Sequence, residues 1–177
     1  PSSDALYASK IFPWSQFLTG TQGKENDEGF DPLSYLIEQG HQKGIQIHAW
    51  VNPLRVTTGT AQQPQTDVNG LAENHPVRKD PSLAVAYSDG RLYYDPSNPN
   101  ARKLIVDGLK EIVENYDVDG VHYDDYFYPG EDFPDEEAYQ ASGSDLSLED
   151  WRRENINALI RESYEGVKEI NPQVAFG

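Results

Sequence analysis

Asp117-Val118-Asp119-Gly120-Val121-His122-Tyr123-Asp124-Asp125-Tyr126-Phe127-Tyr128-Pro129 begins as a short run of alternating apolar residues and breaks at two adjacent carboxylates, three aromatics and a proline. A buried strand that delivers acids to a surface reads this way. Just upstream, Asn98-Pro99 is a cap-plus-proline helix start, and Leu104, Ile105, Gly108, Leu109, Ile112 and Val113 recur at helical spacing as far as Tyr116. Helix passes at once into strand, and strand into a polar, aromatic loop.

The same unit recurs on both sides. Asp31-Pro32 opens a helix with Leu33, Leu36, Ile37 and Gly40 on one face, and Lys43-Gly44 closes it. Ile45 to Val51 then reads as a strand that stops at Asn52-Pro53, where proline interrupts a ladder. From Leu54 to Asn98 the chain is long, polar and broken by Gly59, Pro64, Gly70, Pro76, Pro81 and Gly90, with a short strand at Leu92-Tyr93-Tyr94. Excursions of that length in a compact domain usually carry function. Downstream of the opening stretch, an acidic excursion from Gly130 to Leu148 leads to the capping pattern Ser147 to Asp150 and a helix from about Glu149 to Ile170. Trp151, Ile156, Leu159, Ile160, Tyr164 and Val167 are expected to face inward, and Val174-Ala175-Phe176 starts another strand. Pro1 to Tyr7 suits a loop just past a strand, and Ile11 to Leu18 a long loop packing aromatics near a site.

Alternation of this kind specifies a parallel sheet in an α/β fold. A doubly wound sheet and a TIM (β/α)8 barrel both satisfy it. The loops after the strands are long and hold the polar and aromatic residues, whereas the helix-to-strand turns are tight, which favours the barrel with its site at the C-terminal ends of the strands. A full barrel needs about 250 residues. The 177 residues are therefore expected to form a single partial barrel domain, about half of one, cut at both ends.

Thirty acidic against 14 basic residues give a net charge of −16, which repels polyanions and excludes nucleic acid as a partner where no basic cluster offsets it. No run of apolar residues is long enough to span a membrane, and no signal-peptide pattern is present. With no cysteine there are no disulfides or thiolate metal sites.

Alternation along the opening strand sets His122 and Asp124 on one side and Val121, Tyr123 and Asp125 on the other. Val121 and Tyr123 suit packing against helices, so His122 and Asp124 are expected inward, with Asp125 in support. The earlier strand puts His48, Trp50 and Asn52 opposite Ile47, Ala49 and Val51, and Arg55 follows where it can pair with a carboxylate and hold it ionised. Acids beside aromatic rings suit sugar chemistry, and Trp14, Tyr93, Tyr94, Tyr126, Phe127, Tyr128 and Phe133 lie after strands. The candidates are Asp124 and Asp125 for catalysis, with His48, Trp50, Asn52, Arg55, His122, Tyr94, Tyr126 and Tyr128 for substrate binding. His48, His122, Asp124 and Asp125 also have the chemistry to hold a divalent ion, but no recognised metal motif accompanies them, and no cofactor is implied.

The stretches IHAWVNPLRV (Ile47 to Val56) and DGVHYDDYFYP (Asp119 to Pro129), with PSSDALY at the start and YYDPSNPNARK (Tyr93 to Lys103), resemble glycosyl hydrolase-like family ten. The resemblance implies a TIM-barrel domain of a bacterial envelope or secreted protein, often a lipoprotein, acting on glycans, with members linked to peptidoglycan strands stripped of their peptides. That family is distantly similar to the alpha-amylase superfamily, whose nucleophilic Asp matches Asp124 and whose strand-end Asn matches Asn52. His48, Pro53 and His122 depart from the superfamily pattern, so retention and inversion both stay open, and its general acid would fall at or just beyond Gly177.

The resulting expectation is a glycoside hydrolase domain with Asp124 as nucleophile or general base. Such hydrolysis usually needs two carboxylates about 5–5.5 Å apart for retention or about 6.5–9.5 Å for inversion. Adjacent strand residues diverge, so the partner of Asp124 is expected outside this chain or in the loops, at Asp95 or Glu131. The fragment alone is then weakly active or inactive. The alternatives are a non-catalytic carbohydrate-binding barrel and a metal-dependent hydrolase. An extracytoplasmic location follows from the resemblance alone.

Overall fold

A computed structural model of the chain describes residues 3–26, 29–123 and 127–177. The elements are α1 (Gln16–Thr19), α2 (Pro32–His41), β1 (His48–Val51), α3 (Pro76–Lys79), β2 (Ala84–Ala86), β3 (Leu92–Tyr94), α4 (Pro99–Asn115), β4 (Gly120–Tyr123), α5 (Glu136–Ser142), α6 (Leu148–Ile170) and β5 (Ala175–Phe176), with 3-10 turns at Val68–Gly70 and Pro81–Leu83. Side-chain caps fix the long helices. Asp31 Oδ1 accepts from Leu33 and Ser34 N–H, Asn98 from Asn100 N–H, and Ser147 Oγ from Asp150 N–H, so each helix begins where its cap-forming residue stands.

β1, β4 and β5 form a parallel sheet in the order β1-β4-β5, with His48 level with Gly120, Trp50 with His122, and Gly120 with Ala175. On one side of it Ala49, Val51, Val121 and Tyr123 pack with Leu109, Ile112 and Val113 of α4 and Val167 of α6. Helix, strand, long loop and helix thus alternate around one layer of parallel strands. α4 and α6 meet at small residues: a Cβ on Gly166 would stand 2.8 Å from Val106 Cγ1. Ser163 and Val167 are fully buried beside it, whereas Tyr164, expected inward, is 51 % exposed and Ile160 lies at the surface as well. Leu36, also expected inward, is 56 % exposed on α2.

The long stretch after β1 is a folded unit. Past Pro53 the chain turns to pair with β3 through Tyr94 N–H to Leu54 O (2.8 Å) and Val56 N–H to Leu92 O (2.9 Å), while β3 pairs antiparallel with β2. Leu54, Val56, Leu71, Val77, Leu83, Leu92, Tyr93 and Tyr94 form its core, which continues into Ile105 of α4, Phe133 and Leu159 of α6. Burying those apolar side chains ties the loop to the helices behind the sheet.

Candidate active site

The side of the sheet away from α4 and α6 carries a different set of side chains. His48 and Trp50 point there from β1, and His122 from β4, because strand residues alternate and Ala49, Val51, Val121 and Tyr123 occupy the helix side. Trp50 is 66 % exposed. The His48 and His122 rings lie 6.2 Å apart, tilted by 54°. Gly120 makes room for this pair, since a Cβ there would stand 2.6 Å from His48 Nδ1. In sequence, Asp124 follows His122 by two positions; Asp124, Asp125 and Tyr126 lie outside the described residues.

At the end of β1, Asn52 Oδ1 accepts from Arg55 N–H (3.2 Å), a local side-chain-to-backbone bond that closes the strand and starts the excursion. A cavity of about 470 Å3 runs along β1, an edge strand of the sheet among the described residues, with Asp4, His48, Trp50, Asn52 and Tyr94 in its lining and Leu33 and Leu109 of the helices on its apolar part. Residues of both faces of β1 line it.

The aromatic residues divide. Tyr94 was expected to offer a ring to substrate, but it is 2 % exposed, its hydroxyl pairs with Ser3 Oγ, and burial pushes its pKa well up. Its ring serves the core. Tyr93 and Phe133 are buried likewise, so those two are anchors and not platforms. Tyr128 is partly buried: its ring packs edge-on against Phe133 at 5.2 Å and lies under the Arg152 guanidinium at 5.4 Å. Burial, then the charge of Asp135, raises its hydroxyl pKa, so it stays protonated and cannot act as a base. Apart from the imidazoles, Trp50 is the described site candidate whose ring is exposed.

Of the two loop acids proposed as partners, Asp95 is tied into the scaffold by its carboxylate, and Glu131 only by its backbone. Asp95 Oδ1 accepts from Ser97 N–H (2.8 Å) and Ser97 Oγ–H (2.7 Å), fixing the turn into α4. Glu131 is exposed, and its carbonyl accepts from Arg152 Nη1. Among the described residues no three His, Asp or Glu converge as a metal site would need.

Sequence reasoning missed the fastening of the loop after β4. Asp135, with its side chain 1 % exposed, takes Arg152 through Nε (2.9 Å) and Nη2 (2.5 Å), and the same guanidinium donates to the carbonyls of Glu131 and Phe133. From the β2–β3 hairpin, where Tyr93 donates to Asp89 at 2.7 Å, Tyr87 donates to Asp132 of this loop. One arginine on the first turns of α6 thereby holds the segment that follows the opening acidic stretch. Its sequence signal was weak, since Asp135 sits among several acids of a loop.

The chain is 45 % identical over 183 residues to "Glycosyl hydrolase YngK" of Bacillus subtilis (strain 168), covering all of this chain and 34 % of that protein. It is 36 % identical over 187 residues to "Glycosyl hydrolase DigH" of Escherichia coli (strain K12), again over its whole length and 41 % of the relative. The chain therefore spans between a third and a half of these relatives. Among solved structures, alpha-L-fucosidase isoenzyme 2 from Paenibacillus thiaminolyticus superposes with a TM-score of 0.61 at 18 % identity, over 98 % of this chain and 25 % of that one. At that identity the likeness speaks for the fold, which is part of a TIM barrel. Residues 1–177 match the family described as Glycosyl hydrolase-like 10 along their entire length, and the chain belongs to that family.

Proposed function

We propose that this chain forms part of the active site of a glycoside hydrolase acting on bacterial glycan, with peptide-free peptidoglycan strands as the substrate, and that Asp124 is its nucleophile or general base. The observation that carries the reading is the row of His48, Trp50 and His122 on the side of two adjacent parallel strands turned away from the helices, with Asp124 two positions beyond His122 in sequence. Family membership supports the same chemistry. An open indole face suits the apolar face of a pyranose ring, and imidazoles beside it can donate to or accept from ring hydroxyls. Arg55 and Asn52 stand where the excursion leaves β1 and are assigned to substrate and carboxylate contacts, with Asp125 and Tyr126 in support. Developing positive charge on an oxocarbenium-like sugar is then met by the Asp124 carboxylate, which either bonds to the anomeric carbon until water displaces it or takes a proton from the attacking water, while the second carboxylic acid protonates the departing glycosidic oxygen.

The second carboxylate is assigned to the part of the longer relatives that this chain does not span, with Glu131, whose carboxylate the fold does not use among the described residues, as the candidate within this chain; Asp95 is tied into the turn before α4. Since peptidoglycan lies outside the cytoplasm, the protein is placed there too. The test is Asp124→Asn in the full-length protein. Turnover of peptide-free strands should fall by about a thousandfold or more, while binding of the same strands stays within a few-fold. Undiminished turnover removes Asp124 from the mechanism, and binding without turnover in either protein leaves a carbohydrate-binding barrel.

A further inference from the structure

A second cleft, of about 340 Å3, lies between the N-terminal loop and the first part of the excursion after β1, lined by Gln16, Gln22, Thr57, Gln65 and Asp67 over a floor of Val56 and Leu71. It is a built feature. Gly90, with φ of +88°, brings its carbonyl to Gln65 N–H (2.8 Å), and a Cβ there would stand 2.1 Å from Thr60 O, so only glycine lets the β2–β3 turn press against residues 59–65. Arg91 Nε donates to Gly59 O (2.8 Å) on the same wall. Gln22 has a fixed orientation, because its Oε1 accepts from Ala72 N–H (3.0 Å) and its Nε2 donates to Asp4 Oδ2 (3.2 Å).

Several polar groups of the lining are not used by the fold. Among the described residues the Gln16 carboxamide makes no hydrogen bond, Gln65 engages its Oε1 with Thr58 N–H and leaves Nε2, and Asp67 engages Oδ1 with Asn69 and leaves Oδ2. Carboxamides donate and accept side by side, and a carboxylate oxygen accepts from hydroxyls, which together match a ring bearing hydroxyl groups. No Lys, Arg or His lines the cleft, so it is not an anion site. The cleft also adjoins the cavity along β1: Asp4 lines that cavity, Gln22 lines this cleft, and the two are hydrogen bonded to each other. Its size is at the lower end of small-ligand sites.

We infer that this cleft is a distal subsite for a further sugar unit of the glycan chain, separated from the site along β1 by the Gln22–Asp4 pair. The inference rests on the glycan reading given above. It makes the protein selective for long chains over short ones, because the shortest fragments cannot fill both sites.

The test uses the full-length protein with Gln16→Ala and Asp67→Asn combined, substitutions at exposed positions, and matched thermal melting as the check on folding. The probes are peptide-free cell-wall glycan strands, fractionated into long chains and the shortest fragments that are cleaved. KM for long strands should rise about tenfold with kcat little changed, and kcat/KM for the shortest fragments should stay the same. Equal effects on both lengths, or none on either, overturn the inference. Equilibrium binding of long strands to the Asp124→Asn protein, with and without the pair of cleft substitutions, gives a readout independent of turnover. An approximately tenfold weakening supports the subsite even if the hydrolytic reading fails, and unchanged binding refutes the subsite even if hydrolysis is found.

Discussion

Gly120 and His48 face each other across β1 and β4 at a separation that admits a side chain on the glycine only if the His48 ring moves. Because the His48 ring is exposed and can swing away, Gly120→Ala should fold with little loss of stability while displacing the imidazole. Turnover on glycan should fall by about ten- to a hundredfold, as small misplacements at a reacting centre do, with the melting temperature nearly unchanged; a normal rate in the folded variant removes His48 from the site. At this scale the sequence sorts residues by strand parity and does so well where strands are regular. His48, Trp50 and His122 were legible as one face because their neighbours Ala49, Val51 and Val121 are apolar. Histidines elsewhere carry other work: His75 accepts from Val77 N–H to cap α3, and His41 pairs with Asp119 at 2.9 Å. The tyrosines were not sortable, because a ring that anchors a loop and a ring that meets a sugar have the same composition and the same place after a strand. Burial decides between them, and burial of Tyr93 and Tyr94 depends on partners as distant as Phe133 and Leu159.

α6 does two jobs, and the first of its turns fixes the loop before it. Arg152→Ala removes four donors' worth of partners from Asp135, Glu131 and Phe133 and leaves the Asp135 carboxylate buried without its counter-charge. A loss of about 3 kcal/mol is expected from breaking such a pair, measured by denaturant unfolding, together with protease sensitivity in the loop before α5. A change below about 0.5 kcal/mol, the range of ordinary surface substitutions, would show that the pair does not hold the loop. The start of α6 was legible from Ser147 and Asp150, since a cap is local. Its buried seam was not: close approach of α4 and α6 selects Ser163, Gly166 and Val167, while the larger Ile160 and Tyr164 flank the contact. A helical period locates a stripe, but the width of the gap between helices is a property of two elements at once. The excursion from Leu54 to Asn98 read as loop for a related reason, its core being assembled from short segments that pair only after folding.

On the scale of the molecule, the strands are joined at their starts by one carboxylate. Asp119 accepts from Ile47 N–H (2.7 Å) and from His41 (2.9 Å), and these contacts hold its pKa below the ordinary aspartate value, the backbone N–H being the larger cause. A depressed carboxylate favours the folded state above its unfolded pKa and loses that contribution as pH falls through the folded value. The wild-type protein should thus become less stable below about pH 4, and Asp119→Asn should show a shallower fall over the same range while being less stable at neutral pH. Parallel pH profiles of thermal unfolding for the two proteins would contradict this assignment. The fold class was readable from the order of helices, strands and long loops, and the partial barrel agrees with it.

If this barrel segment belongs to a hydrolase that cuts glycan, the masses of its products will show it. Full-length protein incubated with peptide-free cell-wall strands should yield a ladder of shorter saccharides, each cleavage adding one water, and Asp124→Asn protein run beside it should leave the strands intact. Strands that remain whole with the wild-type protein, while still being bound by it, would contradict the account.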